Sequence, residues 1–99
     1  MKLFFTPRAR RRILVVASWW RANRPSAPAL FEEELERARS RLLEQPSSGQ
    51  PYEAEGGEIM RRLLLPKTEQ YLYYSFDAAT EQVIVHTIWG ARRGRGPRL

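Results

Sequence analysis

The spacing of hydrophobic positions changes along this chain, from a short apolar run to a helical repeat and then to strict alternation. Lys2-Leu3-Phe4-Phe5-Thr6 is a β-rich run that stops at Pro7. Thr6 suits a helix N-cap, and Pro7 suits the first helical position, where a missing N–H costs nothing. Ile13, Val16, Ala17 and Trp20 then recur at i, i+3, i+4 and i+7, which predicts a helix to about Ala22. Asn23-Arg24-Pro25 breaks it. Ser26 is expected to cap a second helix, with Pro28 in its first turn and Phe31, Leu35, Ala38 and Leu42 as its inward stripe. Glu32, Glu33 and Glu34 fall in its opening turns and are expected to be a solvated acidic surface favoured by the helix dipole.

Gln45-Pro46 ends the second helix, and residues 47–57, with one proline and three glycines, read as a polar loop. From Glu58 the period becomes two. Ile59–Leu65 and Gln70–Phe76 alternate around a Pro66-Lys67-Thr68 turn, and Asp77-Ala78-Ala79-Thr80 turns into the β-branched run Gln82–Trp89. Plain alternation there sets Ile84, His86 and Ile88 against Val83, Val85 and Thr87. Residues 90–99 show no packing pattern. The expected fold is α+β with the order β-α-α-β-β-β: a helical hairpin packed on one face of a mainly antiparallel sheet, the other face partly open. Residues 1–91 form a single domain and 92–99 a basic C-terminal tail.

Composition narrows the chemistry. At 99 residues there is room for one core, of marginal stability unless a partner adds contacts. The chain has no cysteine and one histidine, which excludes disulfides, thiolate or histidine-cluster metal sites and cysteine nucleophiles. No cofactor motif is present: no glycine-rich phosphate loop follows a strand. The apolar run after the first arginines reaches only Trp20 before Arg21, too short for a membrane span, so the expected localisation is cytoplasmic. Net charge is +6 and all 11 acids lie within residues 32–81, so two basic ends flank an acidic middle. Cations here are nearly all arginine, which reflects either a G+C-rich coding sequence or a use for planar guanidinium forks. Such a balance points to an acidic partner.

Four sets of residues carry candidate chemistry. Arg61 and Arg62 are strand neighbours and point to opposite faces. The two readings are a salt bridge from one of them to the second helix, or an anion contact on the open face. His86 is either structural or the only general base that titrates near neutrality. Arg92, Arg93, Arg95 and Arg98 are either a solvated tail or an electrostatic contact to nucleic acid or an acidic protein. Tyr71, Tyr73, Tyr74 and Trp89 are core residues unless one faces outward, where it would be a docking platform.

Phe5-Thr6-Pro7-Arg8-Ala9-Arg10-Arg11, Phe31-Glu32-Glu33-Glu34-Leu35-Glu36-Arg37-Ala38, Arg61-Arg62-Leu63, Tyr73-Tyr74-Ser75-Phe76-Asp77 and Trp89-Gly90-Ala91-Arg92-Arg93-Gly94 follow one another in an order that resembles the RelE/ParE superfamily of toxins. These belong to type II toxin–antitoxin, or plasmid stabilisation, modules. The resemblance implies a growth inhibitor neutralised by a cognate acidic antitoxin. The chain looks closer to the ParE branch, which implies a poison of DNA gyrase that works by binding. The alternative is a RelE-like, metal-independent, ribosome-dependent mRNA endonuclease. On the first reading Arg62, Trp89, Arg92, Arg93 and Arg95 meet the target, while Ile13, Val16, Trp20, Phe31, Leu35 and Tyr73 meet the antitoxin. On the second, His86, Arg61 and Arg62 are catalytic.

Overall fold

The computed structural model describes residues 1–99. Thr6 joins the first strand and first helix to the last strand. Its hydroxyl accepts from the Ala9 N–H at 3.1 Å and donates to the His86 carbonyl at 2.8 Å. With Pro7 opening the helix, this cap starts α1 (Pro7–Asn23) directly from the end of β1 (Lys2–Phe5). The second helix, α2 (Leu30–Glu44), begins later than its sequence suggests. Ser26 and Pro28 lie in two tight turns before it, closed by Ala27 N–H to Arg24 and Leu30 N–H to Ala27, and no side chain caps α2.

The sheet has five strands where four were expected. Within the proline- and glycine-rich loop lies β2 (Gln50–Glu53), paired antiparallel to β3 (Ile59–Leu65). It is an edge strand, the one sheet position where Pro51, lacking an N–H, is tolerated. β4 (Gln70–Asp77) and β5 (Gln82–Gly90) complete the order β1-β5-β4-β3-β2, with β1 parallel to β5 and the other pairs antiparallel. The helical hairpin covers one face. Phe31, Ala38, Leu42, Val16 and Ala17 from the helices meet Leu65, Leu72, Tyr74, Val83, Val85 and Ile88 from the sheet.

The alternation expected for β5 fails at one point. Tyr73 pairs with Thr87 but Tyr74 pairs with Val85, so His86 is an extra residue in a β-bulge. Val83, Val85 and Ile88 therefore face the helices, while Ile84, His86, Thr87 and Trp89 face the other way. Tyr74, on the helix side, holds the loop before β2. Its hydroxyl donates to Pro46 O at 2.7 Å and accepts from Gly49 N–H at 2.9 Å. A Cβ at Gly49 would lie 2.6 Å from that hydroxyl, so the approach requires glycine.

Glu34 is not part of a solvated acidic surface. It is buried, and its carboxylate accepts from Lys67 N–H at 2.8 Å, Thr68 N–H at 2.9 Å and the Thr68 hydroxyl at 2.6 Å. One side chain of α2 thus clamps the whole β3–β4 turn. Replacing it with alanine strips the carboxylate and leaves the buried Thr68 N–H without its acceptor. Glu34→Ala is expected to lower stability by about 3 kcal/mol, and the melting temperature by on the order of 10–20 °C for a domain this size. Glu34→Gln, keeping one acceptor oxygen, should fall between. Thermal melts by circular dichroism check this; a change under ~1 kcal/mol in Glu34→Ala would contradict the clamp.

Candidate functional site

The face away from the helices collects aromatic and cationic side chains. Strand alternation brings Tyr52, Arg62, Tyr71, Tyr73 and Trp89 onto it. Tyr73 packs edge-on against Tyr52 at 4.8 Å and Tyr71 at 6.1 Å. The Arg62 guanidinium lies 4.2 Å over the Tyr71 ring and 5.4 Å from Tyr52, and donates to the Tyr73 hydroxyl at 3.4 Å. Each contact is a cation–π or edge-to-face arrangement of the kind that holds a binding platform rigid.

The C-terminal segment is packed, contrary to the expectation that it lacks contacts. Arg92 forms a two-pronged ion pair with Glu69, one prong at 3.0 Å. Glu69 sits in the left-handed region at φ 58, closing the β3–β4 turn beside it. Arg93 stacks 4.1 Å over Trp89, and the Trp89 indole N–H donates to Arg95 O at 2.8 Å. Gly96 lies against the Tyr52 hydroxyl, too close for any Cβ, and Pro97 is buried. Arg8 reaches the Arg98 carbonyl from α1. The segment therefore crosses the aromatic face, and Tyr73 and Thr87 are buried beneath these layers. Its anchors are carbonyls, two arginine side chains, a glycine and a proline, none of which writes a hydrophobic period into the sequence.

The candidate nuclease residues are not brought together. Arg61 turns to the helix side and donates to Gly49 O at 2.7 Å and Ser47 O at 3.2 Å, so it supports a loop and pairs with no acid. Arg62 leans toward Tyr71. His86 lies two strands away, roughly 10 Å in sheet spacing, with Nε2 2.8 Å from the Ser75 hydroxyl. Burial holds its pKa below the ordinary histidine value, against a smaller opposing pull from Glu58. Nowhere do three or more His, Asp or Glu side chains gather as metal ligands would. No helix is long and apolar enough to cross a membrane.

The expected antitoxin contacts divide. Val16, Phe31 and Tyr73 are buried in the chain's own packing and offer no surface. Ile13, Trp20 and Leu35 are half-buried against the same core. A periodic apolar stripe marks the inward face of a helix, and here it packs into the chain's own core. The exposed apolar side chains of α1 are Leu14, Val15 and Trp19, at 67%, 58% and 46% exposure. Leu14 also borders a cleft of about 520 Å³ between the helices, with Phe5, Ile13 and Leu35 on its floor and Arg10 at its rim. Of the residues expected to meet a target, Arg62, Trp89, Arg93 and Arg95 do converge on the aromatic face, while Arg92 is engaged with Glu69. No protein-family model matches the chain, and a search of curated proteins finds no match.

The lowered pKa of His86 gives stability a pH dependence. The unfolded chain takes up this proton more readily than the folded one. The contribution of neutral His86 is therefore present above the unfolded pKa, about 6.5, and is lost as pH falls through it toward the lower folded value. Urea midpoints measured between neutral and mildly acid pH should fall more steeply for the parent than for His86→Gln. Equal slopes would contradict the buried, neutral histidine.

Proposed function

We propose that the chain is the toxin component of a type II toxin–antitoxin module, a ParE-like DNA gyrase poison that works by binding and is neutralised by a cognate acidic antitoxin in the cytoplasm. The observation that carries the choice of binding over chemistry is the separation of Arg61, Arg62 and His86. A metal-independent nuclease needs a proton acceptor and cations around one phosphate. Here Arg61 is on the opposite face, Arg62 is stacked on tyrosine, and His86 is paired with Ser75. A rigid aromatic–arginine face suits protein docking, where such residues dominate binding energy.

Supporting the toxin reading, a helical hairpin covers one face of a mainly antiparallel sheet, as the resemblance implies. The antitoxin's place is argued from charge. Arg8, Arg10, Arg11 and Arg12 open α1 and form no ion pair, and Leu14 and Val15 stand exposed in the next turn. Cations at the positive end of a helix dipole are locally unfavourable, and an acidic amphipathic segment would offset that while covering the apolar pair. The target side is the aromatic face with Arg62, Trp89, Arg93 and Arg95.

Removing a general base typically costs about 10²–10⁴ in rate. Induced expression of His86→Gln should therefore arrest growth within a few-fold of the parent, with no discrete mRNA cuts by primer extension from either. Cleavage by the parent that vanishes in His86→Gln would make the chain an endonuclease. Absence of growth arrest from a folded parent would remove the toxin reading altogether.

A further inference from the structure

On the flank of α1, sharing Arg12 and Val15 with the proposed antitoxin surface and Arg93 with the aromatic face, a cleft of about 860 Å³ opens between this helix, the β3–β4 turn and the start of the C-terminal segment. Its volume lies in the range of small-molecule sites, about 300–1,000 Å³. Five cations line it, from three separate parts of the chain: Arg12 and Arg24, Lys67, and Arg92 and Arg93. The single acid there, Glu69, is already engaged by Arg92. Arg12, Arg24, Lys67 and Arg93 form no ion pair, and an anion would relieve their mutual repulsion.

Two polar atoms sharpen the picture. Arg12 Nε and Gln70 Oε1 are buried and have no hydrogen-bond partner, and both residues are among those lining this cleft. One is a donor and the other an acceptor, so the complementary ligand carries both an anionic oxygen and a hydroxyl or amino group. Burial, with Arg93 and Arg8 close by, also weakens the hold of Arg12 on its proton. At the mouth stand Trp19 and Trp20, with Arg24 placed 5.1 Å and 5.8 Å from their rings. Trp19 is 46% exposed and leaves indole surface available for stacking.

We infer that this cleft binds a nucleoside polyphosphate, its phosphates held among Arg12, Arg93 and Lys67 and its base stacked at Trp19. Guanidinium forks match phosphate oxygens in pairs, and their spread across the cleft fits several phosphates in a row. Gln70 Oε1 accepts from the sugar or the base. A nucleotide joins the charge and the flat π face in one small molecule of the cleft's size. The inference is independent of the toxin reading.

Tryptophan fluorescence and calorimetry test it on the full chain, with ATP or GTP as probe, EDTA present and salt near 0.15 M to screen loose attraction. Saturable quenching at micromolar nucleotide is expected, with tripolyphosphate weaker and adenosine inert. Arg93→Gln, at an exposed position, and Arg12→Gln should each weaken binding about tenfold or more. Arg39→Gln, at the other cleft, should leave it unchanged. Circular dichroism confirms folding, and Arg93→Gln alone decides if Arg12→Gln fails to fold. No saturation below about 1 mM nucleotide, or equal loss in Arg39→Gln, would overturn the site. Tripolyphosphate as tight as ATP would overturn the nucleoside part. Single-stranded RNA that binds tightly and is not displaced by ATP would also overturn the assignment.

Discussion

At the β4–β5 pairing Tyr73 lies opposite Thr87 and Tyr74 opposite Val85, and His86 between them has no partner of its own. This extra residue reverses the facing of everything after it. Ile88 enters the core beside Leu72, and Trp89 is delivered to the second face, where Arg93 and Arg95 meet it. Without the bulge Trp89 would point toward the helices and the C-terminal segment would lose its anchor. The bulge also sets His86 beside Ser75, remote from the arginines of β3. The aromatic–arginine composition of the second face thus follows from one irregularity in the central strand.

Three local devices hold the remaining geometry around that strand. Thr6 ties the start of α1 to the His86 carbonyl, at the bulge itself. Glu34 ties α2 to the β3–β4 turn, and that turn carries Lys67 and Glu69 into the cationic cleft. Glu69 in turn holds Arg92, where β5 hands over to the returning segment. Each is a hydrogen-bonded link between elements far apart in sequence; those of Thr6 and Glu34 are sheltered, while the Glu69–Arg92 pair is exposed and contributes less. A core this small depends on such links because apolar burial alone leaves little margin.

The two helices and three of the five strands were legible because each carries a clean period: Ile13, Val16, Ala17 and Trp20 in α1, alternation in β3 and β4. β1 was legible from its apolar run and the Thr6-Pro7 cap. β2 was not, since Pro51 and its flanking glycines carry loop signals and an edge strand needs few paired N–H groups. Glu34 looks like its neighbours Glu32 and Glu33 in sequence; only the fold brings Thr68 to it. The bulge leaves no mark either, because His86 and Thr87 fit plain alternation equally well. Charge and aromaticity singled out Arg62, Trp89, Arg93 and Arg95, and the fold places these four side by side. Leu14, Val15 and Trp19 were missed because their exposure is defined by the core stripe next to them. The packing of residues 92–99 rests on backbone carbonyls and on arginine contacts to Glu69 and Trp89 that only the fold brings together.

The central claim is that the aromatic–arginine face acts by docking and transfers no proton. A supercoiling assay with purified DNA gyrase, run beside a cell-free translation reaction, addresses it most directly. The account predicts that micromolar protein blocks supercoiling or traps cleaved DNA while the mRNA stays intact. Discrete mRNA cuts with gyrase unaffected would contradict it.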